Sequence, residues 1–229
     1  LPVAPDSTPT IYDLAGGPND GDPIVAVGSG GIHLKRNGNW EVPLKSGDTW
    51  RGFYHYGDKF WVAGNTAVGT LDGEGSYSPL LTPQSNYCWR DILGDCSGGD
   101  AEVCHPAVLG TVKATPDEDC PDTTTSDDTR LEHVIVYLSD PTKAVSLGMH
   151  PILSRLARVG NGFWAAGNKG TIIHWKADDL TPKTLPDLKL STGTNRNLRD
   201  IAAFSTTDIW VVGRRGAILH FDDKACATQ

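Results

Sequence analysis

The chain has 229 residues, 38% of them hydrophobic, with 26 glycines, 15 prolines and a formal net charge of −8. The acidic balance argues against nucleic acid and anionic membranes, which call for a basic footprint, and no apolar run is long enough for a membrane helix. Seven tryptophans against one methionine, with this much glycine and proline, predict short strands and tight turns rather than long helices. The chain starts at Leu1 and shows no signal peptide, which reads as a mature or trimmed product or an excised domain.

Taken in order, Leu1–Thr10 is polar and proline-rich. It is expected either as a leader or as a strand that closes a ring of sheets. Ile11–Leu14 reads as an inner strand, Ile24–Leu34 as strand–turn–strand, and the stretch around Trp40 as an outer strand. The same order returns in Trp50–Tyr56, Phe60–Gly64, Val68–Leu71 and Tyr77–Leu81. A third copy opens at Trp89–Leu93 and then loses the pattern. Ala101–His105 is its weak second strand, Pro116–Thr129 an exposed acidic loop, His133–Leu138 its outer strand and Lys143–His150 an insertion. The fourth copy is Ile152–Val159, Phe163–Gly167 and Thr171–Trp175, and the fifth is Leu198–Phe204, Ile209–Gly213 and Ala217–Phe221.

Four of these runs end on a glycine, at Gly28, Gly64, Gly167 and Gly213, and a second glycine follows at Gly31, Gly69, Gly170 and Gly216. The first glycine permits an unusual φ or a close backbone approach, and the second closes the turn. With the weak third copy counted, the period is about 46 residues, the size of a propeller blade. The expected fold is therefore all-β: a β-propeller of five four-stranded blades with an irregular third. The blades fall at roughly 8–45, 46–85, 86–148, 149–190 and 191–229, with 1–7 as the ring-closing strand. Trp61, Trp164 and Trp210 share one repeat position and are expected in the core between blades.

The unit Ile209-Trp-Val-Val-Gly-Arg-Arg-Gly-Ala-Ile-Leu-His220 resembles the repeats of secreted bacterial propeller proteins, and in particular the photosystem II assembly and stability factor family. That resemblance implies a propeller working outside the cytoplasm. The family has seven blades, whereas this chain has room for about five. Five-bladed lectins offer a second, architectural likeness.

Aligning the inner strands gives one column of Tyr12, Arg51, Arg90, Ser154 and Arg199, and a second of Asp13, Gly52, Asp91, Arg155 and Asp200. Inner strands line the channel of a propeller, so one of these columns or its neighbour should face the axis. Arg51, Arg90 and Arg199 would then form a fixed anion site, because planar guanidinium suits carboxylates. The competing reading is that Arg and Asp pair between blades and only hold the ring. The first reading makes the chain a non-enzymatic binding or scaffold module for a protein or anionic glycan at the channel mouth. A second makes it a glycosidase, with Asp13, Asp91 and Asp200 supplying a carboxylate pair about 5 to 10 Å apart. A third is a lectin with sites between blades, which the divergence of the repeats disfavours.

Cys88, Cys96, Cys104 and Cys120 cluster around the irregular loop, without metal-type spacing, and Cys226 stands apart. Disulfides among the four, in an extracellular, periplasmic or envelope compartment, are expected. No cofactor is called for. Ca²⁺ at Asp117–Asp128 is the main metal expectation, without a spaced calcium-loop motif behind it, and Asp20 with Asp22 is a lesser one. His174 and His220 share a repeat position and are read as structural rather than as metal ligands.

Overall fold

The structure is a computed structural model. It describes residues 10–16, 24–29, 31–36, 39–40, 49–56, 59–72, 76–81, 86–94, 106–115, 119–120, 130–138, 144–160, 162–176, 183–184 and 196–221. These form a β-propeller of successive antiparallel sheets. Sheet one holds β1 (Ile11–Gly16), β2 (Ile24–Gly28), β3 (Gly31–Arg36) and β4 (Asn39–Trp40). Sheet two holds β5 (Trp50–Tyr56), β6 (Lys59–Gly64), β7 (Val68–Asp72) and β8 (Tyr77–Leu81). Sheet three holds β9 (Tyr87–Leu93), β10 (Ala107–Val112), β11 (Leu131–Tyr137) and β12 (Ala144–His150). Sheet four holds β13 (Leu153–Val159), β14 (Gly162–Gly167), β15 (Ile172–Lys176) and β16 (Lys183–Thr184). Sheet five holds β17 (Leu198–Ser205), β18 (Asp208–Gly213) and β19 (Ala217–Phe221) among the described residues.

The two glycines of each repeat have different work. Gly167 and Gly213 sit in extended backbone, so it is close approach that excludes a side chain. A Cβ at Gly213 would stand 2.7 Å from the Asn197 carbonyl oxygen, and one at Gly167 would collide with that of Ile152. The same carbonyls accept hydrogen bonds from the residues after the glycines, Asn168 at 2.8 Å and Arg214 at 2.9 Å, as Thr10 does from Ser29. The second glycine turns the chain in left-handed space in sheets four and five, where Gly170 and Gly216 both have φ of +72° and a Cβ is costly; Gly69, expected to close a turn, lies instead within β7, where the Tyr77 ring leaves no room for a Cβ.

Neighbouring sheets stack face to face, which buries the second strand on both sides and explains its continuous apolar run. Val25, Val27 and Ile32 of sheet one meet Trp50, Phe53, Phe60 and Val62 of sheet two. Trp61 and Ala63 on the other face of sheet two meet Trp89, Ile92 and Val108. Leu109 and Ile135 meet Leu153, Leu156 and Phe163, and Trp164, Ala166 and Ile172 meet Leu198, Ile201 and Val211.

Four expectations change. Lys143–His150 is no insertion: Ala144–His150 is the fourth strand of sheet three, and Leu131–Tyr137 is the third rather than the outer strand. The second strand is Ala107–Val112, with Gly110 opposite Trp89 as Gly64 is opposite Trp50, so Gly110 takes the first-glycine place. Ala101–His105 lies outside the described residues. Trp61 and Trp164 are in the core as expected, but Trp210 is 41% exposed, because no sheet covers that face of sheet five among the described residues.

The disulfide joins Cys88 to Cys120, with their Cα atoms 5.5 Å apart. Cys96, Cys104 and Cys226 lie outside the described residues. No helix among the described residues is long and apolar enough to cross a membrane.

Candidate functional site: an arginine-lined cavity at the inner strands

Every sheet has a β-bulge at the same point of its inner strand. The register slips between Ile11 and Asp13, Trp50 and Gly52, Leu153 and Arg155, and Leu198 and Asp200. In sheet three Asp91 faces Leu109 while Trp89 faces Gly110, which leaves Arg90 as the extra residue. A bulge re-aims the residue it inserts. The bulged residues are Tyr12, Arg51, Arg90, Ser154 and Arg199, the whole first column, and all five line one cavity with Ile11 and Arg155. Its volume is about 170 Å³, room for a small polar group rather than a large ligand.

Arg51 and Arg90 are each anchored within their own sheet. Arg51 Nε donates to Asn65 Oδ1 at 2.8 Å, and its guanidinium lies 4.9 Å over the Tyr12 ring, a cation–π contact. Arg90 is fully buried and donates from Nε to Thr111 Oγ1 at 3.3 Å. Behind Thr111 stands His133, whose Nε2 accepts the Leu153 N–H at 3.4 Å. Burial, then the positive charge of Arg90, lowers the His133 pKa to about 3, so the imidazole is neutral.

The second column is an electrostatic knot centred on Arg155. Its Nη2 donates to the Tyr12 carbonyl at 2.7 Å and its Nη1 to the Arg51 carbonyl at 3.1 Å, tying sheet four to sheets one and two. Asp91 Oδ1 and Asp200 Oδ1 lie 3.9 and 4.0 Å from its guanidinium nitrogens. Burial pulls the Arg155 pKa down, yet Asp91, Asp13 and Asp200 together raise it, so it stays charged. Burial pushes the Asp91 carboxyl up to about 7 against the pull of Arg155, and Asp13 shifts the same way for the same first cause. Asp91 Oδ2 accepts the Leu156 N–H at 2.7 Å. Gly52 leaves the space Asp91 needs, since a Cβ there would stand 2.5 Å from the Asp91 Cα.

The structure places the two columns differently. Arg51, Arg90 and Arg199 come together at one cavity. The aspartates Asp13, Asp91 and Asp200 gather instead around Arg155 and are not among the residues lining the cavity. Sequence reasoning missed Arg155 and Ile11 as lining residues. The signal was available in the extra residue between the inner-strand apolar pairs Leu153/Leu156 and Leu198/Ile201, a spacing of three where a plain strand alternates by two. His174 and His220 stack on Trp164 and Trp210, with ring centroids 4.4 and 4.1 Å apart. Of the acidic loop Asp117–Asp128 only Asp119 and Cys120 are described, and no cluster of three metal-ligating side chains occurs among the described residues.

No family model matches the chain, and no curated protein matches its sequence significantly. Solved structures match its fold. A chain of the nidogen/laminin complex is similar with a TM-score of 0.60 at 10% identity, over 93% of this chain and 75% of that one. YCF48, a photosystem II assembly factor solved bound to D1 peptide, is similar at 0.57 and 16%, over 96% of this chain and 66% of that one. Virginiamycin B lyase from Staphylococcus aureus is similar at 0.55 and 11%, over 93% of this chain and 69% of that one. At these identities the likeness is one of fold.

Proposed function

We propose that this chain is a non-enzymatic binding module that grips an anionic group of a protein or glycan partner in the arginine-lined cavity. It is read as a single propeller unit, its five sheets the blades, working in an extracellular or envelope compartment. The observation that carries the reading is the bulge repeated in all five inner strands. It turns Arg51, Arg90 and Arg199 toward one cavity. Asp13, Asp91 and Asp200 are engaged with Arg155, and the bulge arginines give the cavity lining its positive charge. Among the structural neighbours, one is a chain of the nidogen/laminin complex and another is YCF48 bound to D1 peptide, which accords with a binding role. The disulfide accords with an oxidising compartment.

The test compares a labelled peptide ending in glutamates, its amidated glutamine counterpart, and a sulfated oligosaccharide. The wild-type chain should prefer an anionic probe, with affinity falling as salt rises. Arg51→Ala with Arg199→Ala should weaken it about tenfold or more, as loss of charge-assisted hydrogen bonds worth roughly 1.5–3 kcal/mol each would do. Unchanged binding in a folded double variant, or no binding of any probe, overturns the reading. Arg90 is left in place because its burial makes its removal a stability experiment.

One observation favours the glycosidase alternative. Asp91, with a pKa of about 7, lies in the range of a general acid. Against it, Asp91 is buried, takes a backbone N–H and faces Arg155. Turnover of an aryl glycoside that disappears in Asp91→Asn would establish the alternative, and its absence across a panel of sugars would dismiss it.

A further inference from the structure

The cavity and the carboxylates behind it form one body of charge, joined by Arg155. This residue lines the cavity beside Arg51, Arg90 and Arg199. Its guanidinium also has Asp91 Oδ1 at 3.9 Å and Asp200 Oδ1 at 4.0 Å, and Asp13 is close enough to stabilise its charge. Four cations and three carboxylates, contributed by all five inner strands, thus meet at one place. The chain order enforces the meeting. Arg90 directly precedes Asp91 and Arg199 directly precedes Asp200, so the bulge that re-aims an arginine into the cavity sets the next residue against Arg155. Arg51 precedes Gly52 instead, and the missing side chain is the space that Asp91 fills.

Asp91 is the member of this cluster that answers to pH. It is buried, and its Oδ2 accepts the Leu156 N–H at 2.7 Å. Around it stand Arg155 from β13, Asp13 from β1, Asp200 from β17 beyond Arg155, Gly52 with Arg51 from β5, and Arg90 of its own strand. Burial, the pull of Arg155 and the push of Asp13 leave its carboxyl with a pKa of about 7. At neutral pH it is therefore divided between two charge states, whereas a guanidinium does not titrate there. His133, behind Arg90 and Thr111, is neutral throughout this range. An anion seated among the arginines places negative charge close to a carboxyl that water does not screen, and so favours its neutral form. The preference is mutual: a neutral Asp91 favours the anion by the same factor.

We propose that the arginine cavity takes up its anion together with a proton on Asp91, so that the partner is captured on the acid side of neutrality and released on the alkaline side. This coupling presupposes the anion-binding role of the cavity proposed above and supplies its regulation. As pH rises through neutrality Asp91 ionises, its charge offsets that of Arg155, and the anion loses attraction. Each unit by which the bound anion raises the Asp91 midpoint corresponds to about a tenfold fall in affinity between the acid and alkaline limits.

The experiment titrates the chain with the glutamate-ended peptide, labelled on its amino end, and with the sulfated oligosaccharide, from about pH 6 to 8.5, where both probes keep their charge. Ionic strength is held fixed. Affinity should fall about tenfold across this range. Calorimetry in two buffers of different ionisation enthalpy should show uptake of up to about one proton per bound probe near neutrality. Asp91→Asn should keep binding at the acid-side level, flatten its pH dependence and abolish the uptake. In the wild-type chain the carbon-13 resonance of the Asp91 carboxyl should titrate at a higher midpoint when the probe is saturating, a readout that does not depend on the variant folding. Absence of binding by either probe at every pH overturns the cavity reading and the coupling with it. Binding that is flat in pH, or an Asp91 midpoint unmoved by a saturating probe, overturns the coupling alone. So does a pH dependence that survives in folded Asp91→Asn, which would assign the proton to another group.

Discussion

At the scale of single residues, the buried ionisable groups leave a readable signature in pH. The folded pKa of Asp91, about 7, lies above its ordinary 3.8, so the fold holds this proton more tightly than the unfolded chain does. The stabilisation is complete below the unfolded value and is lost as pH rises through about 7. Asp91→Asn should remove that decline, seen as a flatter dependence of unfolding free energy on pH across the window from about 4 to 7. His133 works in the opposite sense. Its pKa falls from 6.5 to about 3, so its contribution is present above the unfolded value and is lost as pH falls through the folded one. Denaturant titrations of Asp91→Asn and His133→Asn across one pH series separate the two slopes by sign. Lys169 and Arg215 offer a second prediction, since both hold left-handed backbone with φ of 57° and 58°. Lys169→Gly keeps the N–H that donates to Asn197 Oδ1 and relieves a conformation costing about 1–2 kcal/mol. Less the extra unfolded-state entropy of glycine, it should raise stability by up to about 1 kcal/mol in a denaturant titration.

At the scale of the element, one repeated tryptophan is a control for itself. Trp164 is packed between sheets four and five, and Trp210 holds the same place on a face without a cover. Trp164→Ala should cost about 3–5 kcal/mol, as a cavity-forming core truncation does. Trp210→Ala should cost about 1 kcal/mol or less, as for a partly exposed apolar side chain. Equal losses in the two variants would mean that the outer face of sheet five is covered in solution. The strand pattern was legible in sequence because an apolar run ending on glycine recurs in four of the repeats. Sheet three was misread in part because Gly110 was matched to the second glycine, which moved its strands one place outward. The arginine column was legible for the same reason as the strands. Its cause, the bulge, was not read, and without it alternation lets a single column face the axis, so Arg155 was overlooked. The exposure of Trp210 was invisible because burial of a repeat face is a property of its neighbour rather than of its own residues.

At the scale of the whole molecule, stability comes from sheet on sheet, with few ties running along the chain. The covalent exception among the described residues is Cys88–Cys120, which bridges 32 positions from the inner strand of sheet three to the loop before β11. On the loop-entropy account a closure of that length stabilises by about 3–4 kcal/mol. Cys120→Ser should therefore lower the denaturation midpoint, as should reduction of the wild-type chain, and a reduced wild type matching the variant identifies this bond as the source. The inner strands meanwhile stay gathered through Arg155, which donates to carbonyls of sheets one and two and faces the carboxylates of Asp91 in sheet three and Asp200 in sheet five. Arg155→Met should open that hub and cost several kcal/mol, roughly the 3–5 of a broken buried ion pair.

A closed annulus can only be threaded from its ends, so a guest must present a free terminus or a narrow tip. Among the described residues, Ile11 belongs both to the half-exposed face of sheet one and to the lining of the arginine pocket. On the binding role proposed above, a guest that reached the cations past Ile11 would approach from the side of sheet one, with no end to be passed through.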